Sequence, residues 1–238
     1  MSNRITQGPC IVCGSLSVRL NRALNLTQCG RCGFIWQYST NGSVPYDLAY
    51  LNKYRSYPVD KLSQLRADFV ESVAGANGNS SILDIGYGLG GFLKEMRRRG
   101  HPAYGLEVNP FAIGKNPEIT DVEQDNWPEV KCVTFFDSLE HLKLLVIGAY
   151  LIAAVTVAPL ICVSTPNVGE RGILSLNEWR HYRIDEHYSY FNEATLTLLF
   201  ARLGYRKIAS SFFEDAVRKA PWKHNILTCV FRRRVGVL

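Results

Sequence analysis

A glycine-rich turn between a short apolar strand and a helix constrains the fold more than any other feature of the sequence. The turn carries Gly86, Gly88 and Gly90, and residues 92–99 have the pattern of a helix. Glycines let a backbone pass close to a ligand, and the start of a helix offers unpaired N–H groups. Apolar segments typical of buried parallel strands lie at 81–85, 104–107, 133–136 and 160–164. Their alternation with helical segments predicts a doubly wound, mostly parallel α/β sheet that binds its ligand at the carboxyl ends of the strands.

Two acidic residues near this turn indicate which ligand it binds. Asp84 precedes Gly86 by two residues, and its carboxylate suits a ligand with an ammonium group, whereas it would repel a pyrophosphate. Glu107 lies 23 residues after Asp84 at the end of the second strand, where a carboxylate commonly binds ribose hydroxyls. A dinucleotide-binding dehydrogenase is the competing interpretation. It usually spaces its glycines as G-x-G-x-x-G, and the Asp84 charge disfavours it.

Together with the segment Asp-Ser-Leu-Glu-His at 137–141, this pattern resembles the class I S-adenosylmethionine-dependent methyltransferases over residues 80–168. The resemblance implies that Asp84 and the glycines hold the amino-acid end of S-adenosylmethionine and that Glu107 holds its ribose. It also places Asp125 near the adenine, with a surface loop acid as the alternative. The cofactor-binding residues implied in this way are Asp84, Gly86, Gly88, Gly90, Glu107, Asn109, Asp125 and Asp137.

Four cysteines near the N-terminus form two C-x2-C pairs separated by fifteen residues. Each pair can lie in a tight turn with both sulfurs directed at one ion, and four thiolates complete tetrahedral zinc without an open position. The spacing therefore predicts a structural zinc ribbon with the ligands Cys10, Cys13, Cys29 and Cys32. Four unrelated thiols or two disulfides are the alternative, which the expected reducing compartment disfavours.

Tyrosines recur at helical spacing between the cysteines and the glycine turn, at positions 46, 50, 54 and 57. Such a stripe more often packs against protein, but this one precedes the cofactor motif. One or two of the tyrosines, with Tyr54 as the candidate, are therefore expected to close over the cofactor. A helix is expected at 62–74 and a loop at 75–79. The predicted organisation is a zinc ribbon at 1–38, a tyrosine-rich linker and helix at 39–79, and the methyltransferase domain at 80–238.

A second polar cluster, at 179–191, contains two histidines, two acids and three tyrosines, which are groups able to accept a proton during methyl transfer. Its segment 186–191 resembles the Glu-His-x-x-Tyr-Phe segment of zinc-containing sugar C-methyltransferases, which also begin with two C-x2-C pairs. Where that family has Tyr-His before this segment, the present chain has Ile-Asp. The resemblance implies that Glu186 and His187 are candidate bases. The full set of candidate catalytic residues is Glu186, His187, His181 and His141, and a structural, hydrogen-bonded histidine is the alternative for His187 and His141.

The expected acceptor is a small molecule, a sugar or nucleotide-linked metabolite, methylated on carbon or oxygen. A nucleic-acid modifying enzyme is the alternative, because nine Lys/Arg but only two acids lie from Arg202 to the C-terminus. The motifs of amino-directed and cytosine-C5 DNA methylases do not follow the predicted strand at 133–136, and Cys132 is expected to be a buried small hydrophobe. A non-enzymatic cofactor-binding module is a third interpretation.

Residues 144–163 contain twenty positions without a charge, about the length that spans a bilayer. Gly148 and Pro159 interrupt this run, and a buried helix followed by a buried strand accounts for it, so no membrane span is expected. Residues 1–9 lack the apolar core of a signal peptide, which makes the cytoplasm the expected location. The sequence leaves the oligomeric state open.

Overall fold

The computed structural model describes residues 8–37, 44–45, 47–52, 58–74, 79–169, 171, 176–218 and 223–236. The strands are β1 (Val18–Asn21), β2 (Leu26–Cys29), β3 (Ile35–Gln37), β4 (Ile82–Ile85), β5 (Ala103–Leu106), β6 (Thr120–Asp121), β7 (Cys132–Phe136), β8 (Leu160–Pro166), β9 (Ser189–Tyr190), β10 (Tyr205–Ser211) and β11 (Ile226–Arg233). The helices are α1 (Leu48–Asn52), α2 (Val59–Ala74), α3 (Gly91–Arg98), α4 (Pro110–Lys115), α5 (Leu144–Val157), α6 (Glu193–Arg202) and α7 (Asp215–Arg218).

Seven strands form the central sheet in the order β10-β11-β8-β7-β4-β5-β6. The five strands β8, β7, β4, β5 and β6 lie side by side in this order and run parallel to one another. Strand β11 is antiparallel to both of its neighbours, β8 and β10. The chain moves outward from β4 through β5 to β6 and then returns to β7 on the other side of β4. In such sheets the crevice at the carboxyl ends of the strands where the order reverses is the usual ligand site. The predicted mostly parallel sheet is confirmed, with an antiparallel edge added by the last two strands.

The uncharged run at 144–163 folds as helix α5 followed by strand β8, as expected. Strand β8 is buried along its whole length because it lies inside the sheet and is covered on both faces. Helix α5 buries Ile147, Leu151 and Ala154 but turns another face outward, where Leu145 is 96% exposed. The expectation of a buried helix is therefore correct for one face only. None of the helices in the described part of the chain has the length and apolar character needed to cross a membrane.

A second sheet joins the N-terminal cysteine region to the polar cluster at 179–191, in the strand order β1-β2-β3-β9. Strand β9 pairs with β3 through Ile35 opposite Tyr190 and Trp36 opposite Ser189. Below this junction the buried ring of Phe34 stacks on Trp36 and contacts Phe191, with ring centroids 5.3 and 5.1 Å apart. Strands of the cysteine region and a strand of the candidate catalytic segment thus share one sheet.

The helix predicted at 62–74 is present as α2 and begins three residues earlier, at Val59. The tyrosines at 46, 54 and 57 lie outside the described residues, as do positions 75–78 of the predicted loop. Of the tyrosine stripe, only Tyr50 is described, and it lies in α1.

Replacing Phe34 by alanine should lower the free energy of unfolding by about 3–5 kcal/mol, because a fully buried aromatic ring is lost where the two sheet regions meet. Urea unfolding followed by circular dichroism measures this change. Leu145→Ala is the matched control, and its effect should stay within about 0.5 kcal/mol because its side chain is exposed. Equal effects of the two substitutions would show that Phe34 does not pack as described.

Candidate functional site

A cavity of about 360 Å³ opens at the carboxyl ends of β4, β5 and β7. Its wall combines the glycine turn, the end of β5, the turn after β7 and part of the cluster at 179–191. The residues predicted from the sequence that line it are Asp84, Gly86, Gly88, Gly90, Glu107, Asn109, Asp137, His141, His181 and His187. Residues more than one hundred positions apart in the chain are therefore brought to one site by the reversal of strand order.

Two of the predicted catalytic and cofactor-binding residues in the described part of the chain do not line this cavity. Asp125 lies in an exposed turn after β6, outside the cavity wall, and so fits its alternative as a surface loop acid. Glu186 turns away from the cavity, because Arg183 Nη1 donates to its carboxylate at 2.6 Å and the Tyr50 hydroxyl lies 3.4 Å away. Tyr54 lies outside the described residues. Cys132 is 2% exposed, which confirms its prediction as a buried residue.

The glycine turn needs glycine at two positions for different reasons. Gly86 has φ of 74°, and a Cβ there would lie 2.8 Å from the Cβ of Ser138 in the turn after β7. Gly88 has φ of 53°, and a Cβ there would meet nothing within 4 Å. The first glycine lets two chain segments approach each other, while the second leaves open space at the cavity wall that a bound molecule can occupy.

Three backbone N–H groups fix the Glu107 carboxylate at the rim of the cavity. Gly88 donates to Oε2 at 2.8 Å, and Val108 and Asn109 donate to Oε1 at 2.7 and 2.9 Å. A carboxylate has about four acceptor positions, so one oxygen retains capacity for a further donor. The side chain is held in a single orientation with one acceptor position available, which suits binding of a ribose hydroxyl.

Asp84 lies at the end of β4 and is 3% exposed. The Thr134 hydroxyl donates to its carboxylate at 2.7 Å. Burial raises the pKa of Asp84 to about 7, even though the Thr134 hydrogen bond and the Arg66 charge lower it, and the charges of Glu107 and Asp137 raise it further. A cation bound beside this carboxylate would favour its ionised form.

A buried ion-pair network holds the turn after β7. Arg66 of α2 donates to Asp137 at 2.5 Å and to Glu214 at 2.8 Å, and Arg218 of α7 contacts the same two carboxylates. Glu214 has no solvent-exposed surface and also accepts the Ser164 hydroxyl at 2.8 Å. The two arginines hold the pKa of Asp137 well below its usual range despite its burial. Asp137, predicted to bind cofactor, thus already has two cationic partners.

Three histidines also line the cavity. Burial lowers the pKa of His141 and of His181 to about 4 and that of His187 well below its usual range. His181 Nε2 lies 2.9 Å from the amide oxygen of Asn225, and His187 Nδ1 lies 2.9 Å from the carbonyl oxygen of His181. All three imidazoles are therefore neutral near pH 7. Because an amide or carbonyl oxygen can only accept, each of the two contacted nitrogens carries the proton.

Gln37, at the end of β3, positions the backbone around His187. Its side-chain amide donates to the carbonyls of Arg183 and His187 at 3.1 and 2.9 Å, and its side-chain oxygen accepts from Asp185 N–H at 3.2 Å. Its backbone N–H donates to the Tyr188 carbonyl at 3.0 Å. One 5%-exposed glutamine therefore satisfies several polar groups of the segment that carries the candidate catalytic residues.

Gln37, Arg66, Glu214 and Arg218 were not predicted from the sequence as site residues. Arg66 precedes the glycine turn inside an ordinary amphipathic helix, and Glu214 and Arg218 lie in the basic C-terminal third. Nothing in their spacing shows that they meet. The sequence signal that could have pointed to them is the spacing of Glu214 and Arg218, an acid and an arginine at i and i+4 in a short helical segment. This spacing is equally typical of a solvent-exposed helix surface.

The four N-terminal cysteines form one cluster. Their sulfur atoms all lie within 4.8 Å of one another, with Cys10 Sγ 3.7 Å from Cys32 Sγ and Cys13 Sγ 3.5 Å from Cys29 Sγ. Sulfurs around tetrahedral zinc, bonded at about 2.3 Å, are separated by about 3.8 Å, whereas a disulfide requires about 2.05 Å. The geometry fits four ligands of one metal ion, and all four cysteines are free of disulfides.

A family model described as a methyltransferase domain matches residues 51–210. The chain belongs to this methyltransferase family. The prediction of a class I, S-adenosylmethionine-dependent methyltransferase with a Rossmann-like sheet is therefore confirmed. The match begins after the cysteine pairs, so it does not address the resemblance to zinc-containing sugar C-methyltransferases. No curated protein shows significant sequence similarity to the chain.

Solved structures share the methyltransferase fold at low sequence identity. Magnesium protoporphyrin IX methyltransferase from Synechocystis PCC 6803, with bound S-adenosylhomocysteine, is 14% identical, with a TM-score of 0.56, covering 82% of this chain and 90% of its own. The 1,6-didemethyltoxoflavin-N1-methyltransferase from Burkholderia thailandensis, bound to 1,6-didemethyltoxoflavin and S-adenosylhomocysteine, is 15% identical with a TM-score of 0.57. The match covers 91% of this chain and 99% of that enzyme. A mitomycin 7-O-methyltransferase is 17% identical with a TM-score of 0.52, and the match covers 72% of this chain and 54% of that enzyme.

Replacing Arg66 by methionine should destabilise the methyltransferase by about 3–5 kcal/mol at pH 7, because it leaves the buried Glu214 and the half-buried Asp137 with one cation instead of two. Both carboxylates have lowered pKa values in the folded protein. Their contribution is therefore present above their unfolded pKa values, near 4, and is lost as the pH falls through the folded values. The stability difference between the wild type and Arg66→Met should consequently stay constant from about pH 7 to about pH 5 and shrink below about pH 4, as measured by urea unfolding.

Arg98→Met is the matched control, because Arg98 is 68% exposed and its partner Glu95 keeps a second contact to Arg99. It should leave the unfolding midpoint nearly unchanged. A wild-type midpoint for Arg66→Met would contradict the buried network.

Proposed function

We propose that this methyltransferase transfers the methyl group of S-adenosylmethionine to carbon or oxygen of a small-molecule acceptor, a sugar or nucleotide-linked metabolite. The observation that carries the proposal is the continuity of one cavity from the glycine turn and Glu107 to the three histidines. A cofactor on one wall then faces an acceptor on the other. Positioning the acceptor oxygen or carbon in line with the methyl carbon supplies much of the rate.

The cofactor side of the cavity is proposed to bind S-adenosylmethionine through Asp84, Gly86, Gly88, Gly90, Glu107, Asn109 and Asp137. The fixed Glu107 carboxylate takes a ribose hydroxyl, and the open space at Gly88 lets the cofactor approach the backbone. Asp84 attracts the ammonium group. The charge of Asp137 is already neutralised by Arg66 and Arg218. Its proposed role is therefore to fix the shape of the cavity and not to pair directly with the ammonium group. Asp125 is not proposed as a cofactor contact.

The acceptor side carries positive charge at its mouth. Arg180 is exposed and lines the cavity, whereas Arg183, which also lines it, is half-buried and paired with Glu186. Guanidinium groups match the geometry of phosphate and carboxylate oxygens. A nucleotide-linked acceptor supplies such an anion, which supports this class over a neutral sugar. The acceptors named for the structural neighbours are likewise small molecules, a magnesium porphyrin and a toxoflavin precursor.

The proton lost by the acceptor is proposed to pass to the histidine cluster, because neutral imidazoles have a lone pair ready to accept it. His141, His181 and His187 line the cavity, whereas the Glu186 carboxylate is held by Arg183 outside it. The base is accordingly assigned to this cluster, and Glu186 becomes a positioning residue for Arg183.

The cysteine cluster is proposed to bind one structural zinc ion, as its sulfur spacing supports. Metal analysis of the purified methyltransferase should find about one zinc per chain. Cys29→Ser should lose that zinc and weaken the packing of the ribbon strands. Cys229→Ser is the control, since Cys229 lies in the central sheet away from the cluster and its thiol should leave the zinc content unchanged. Zinc-free wild-type protein that is fully folded would contradict this assignment.

Binding of S-adenosylhomocysteine measured by calorimetry tests the cofactor site. Because the pKa of Asp84 is about 7 in the free protein, its proton must leave before an ammonium group binds beside it. The affinity should therefore be about tenfold weaker at about pH 6 than at about pH 8. Asp84→Asn should bind more weakly at the higher pH, by roughly tenfold, and should lose this pH dependence.

Asp125→Asn is the matched control for this measurement, because Asp125 is an exposed acid outside the cavity. It should bind S-adenosylhomocysteine like the wild type at both pH values. Unchanged binding in Asp84→Asn would refute the role of Asp84, and no binding by the wild type would refute the cofactor.

Acceptor class is tested by incubating the methyltransferase with methyl-labelled S-adenosylmethionine and panels of sugars, nucleotide sugars, RNA and DNA. We expect label on a nucleotide-linked small molecule and weaker transfer after Arg180→Gln. Several basic residues of the C-terminal third make internal contacts, since Arg202 contacts the Val12 carbonyl and Arg233 contacts Tyr205 and the end of α5. Label appearing only on RNA or DNA, with steeply salt-dependent binding, would instead favour the nucleic-acid alternative.

A further inference from the structure

Glu140 is a buried carboxylate on the cavity wall, and it has no role in the methyl transfer proposed above. It lies in the turn after β7 and is 2% exposed. Within ordinary hydrogen-bond distance neither of its oxygens has a partner among the described residues, although the Thr165 hydroxyl lies near enough to lower the pKa of the carboxyl somewhat. A carboxylate is unfavourable in such a place unless it takes up a proton or lies beside a cation.

Two imidazoles converge on this carboxylate. One potential ligand atom from each of Glu140, His141 and His187 lies within 4.8 Å of the other two. An ion at the centre of that triangle would be at most about 2.8 Å from each atom, which is about 0.7 Å longer than a zinc–nitrogen bond. Each ligand atom would therefore have to move by at most about 0.7 Å toward the ion. The imidazole planes of His141 and His187 are nearly perpendicular, at 83°.

Each imidazole is oriented by a backbone carbonyl, as metal-binding histidines commonly are. His187 Nδ1 lies 2.9 Å from the His181 carbonyl, and His141 is hydrogen-bonded to the backbone of Glu186. A carbonyl can only accept, so the contacted nitrogen carries the proton. The other nitrogen of each ring then presents a lone pair, which is the form that binds a metal ion.

Glu140 forms no ion pair among the described residues, and its burial together with the Asp137 charge raises the pKa of its carboxyl. The nearby positive charge of Arg183 is matched by its ion pair with Glu186, at 2.6 Å. Asp137, the nearest other acid, is already paired with Arg66 and Arg218. A divalent cation that binds here would displace the proton of the Glu140 carboxyl and meet one carboxylate and two imidazoles that carry no partner cation of their own.

We propose that Glu140, His141 and His187 bind one divalent transition-metal ion whose remaining coordination positions face the acceptor. One carboxylate and two imidazoles form a donor set suited to ions such as Zn²⁺, Co²⁺ or Fe²⁺, and three protein ligands leave room for a substrate oxygen. This site is separate from the four-cysteine cluster. The proposal rests on the proposed function, because it gives the ion an acceptor oxygen to bind.

The ion narrows the acceptor to a molecule with a hydroxyl or ketone oxygen beside the atom that is methylated. For a hydroxyl acceptor, coordination makes the O–H more acidic. Its proton passes to the lone pair of His181, which is not among the three ligands. The oxygen then forms a bond to the methyl carbon while the carbon–sulfur bond breaks, and that electron pair stays on sulfur as S-adenosylhomocysteine.

Titration of the full chain with Co²⁺ tests the site. The protein is first treated with a mild chelator that removes loosely bound metal but leaves zinc in the cysteine cluster. The wild type should bind about one further equivalent and develop the visible absorption of protein-bound Co²⁺. Glu140→Gln and His187→Ala should each weaken this binding by at least about tenfold, since a lost second-shell contact alone costs about that much. His181→Ala is the matched control and should bind Co²⁺ like the wild type.

Glu140→Gln keeps the shape of the side chain and removes a carboxyl that forms no ion pair, so it should fold. Co²⁺ should raise the melting temperature of the wild type but not that of Glu140→Gln. Absence of Co²⁺ uptake by the wild type, or equal uptake by both variants, would overturn the proposal. Binding of S-adenosylhomocysteine, measured on the same samples, separates these outcomes from a failure of the proposed function.

Discussion

Glu214 is a carboxylate without solvent exposure, and the floor of the cavity depends on the way its charge is neutralised. Its partners come from α2, α7 and β8, and the same two arginines hold Asp137 after β7. Removing one partner of a buried ion pair is strongly destabilising, whereas replacing the whole pair by apolar residues is often neutral. The network therefore fixes one arrangement of its residues and adds little net stability. Elements from both ends of the chain are thereby fixed around the glycine turn.

The other side of the cavity depends on the N-terminal region. Gln37 binds the backbone of the segment 183–188, and the β3–β9 pairing continues that contact into the sheet. The Tyr188 N–H donates to the Glu140 carbonyl at 2.7 Å, so this segment is also tied to the turn after β7. The cysteine region is therefore part of the support for the histidines, although sequence alone presented it as an appendage.

Much of the fold was predictable because it follows from local patterns. Asp84, the glycines and Glu107 lie beside short apolar strands whose period and spacing are visible in the sequence, and the strands appear where those patterns place them. The exposed face of α5 was not predictable, because a helix without charged residues is expected to be buried on all its faces. Arg66, Glu214 and Gln37 could not be found for a related reason: their roles come from contacts across more than seventy residues of chain. The outward turn of Glu186 depends on Arg183, three residues away, whose rotamer no pattern reveals.

One cavity is proposed to hold the cofactor on its glycine-turn side and the acceptor on its histidine side. A crystal structure of the chain with S-adenosylhomocysteine tests it most directly. We predict that a ribose hydroxyl donates to the Glu107 carboxylate and that the sulfur faces His181 and His187 across the cavity. Binding of S-adenosylhomocysteine elsewhere, or with its sulfur turned away from the histidines, would contradict this arrangement.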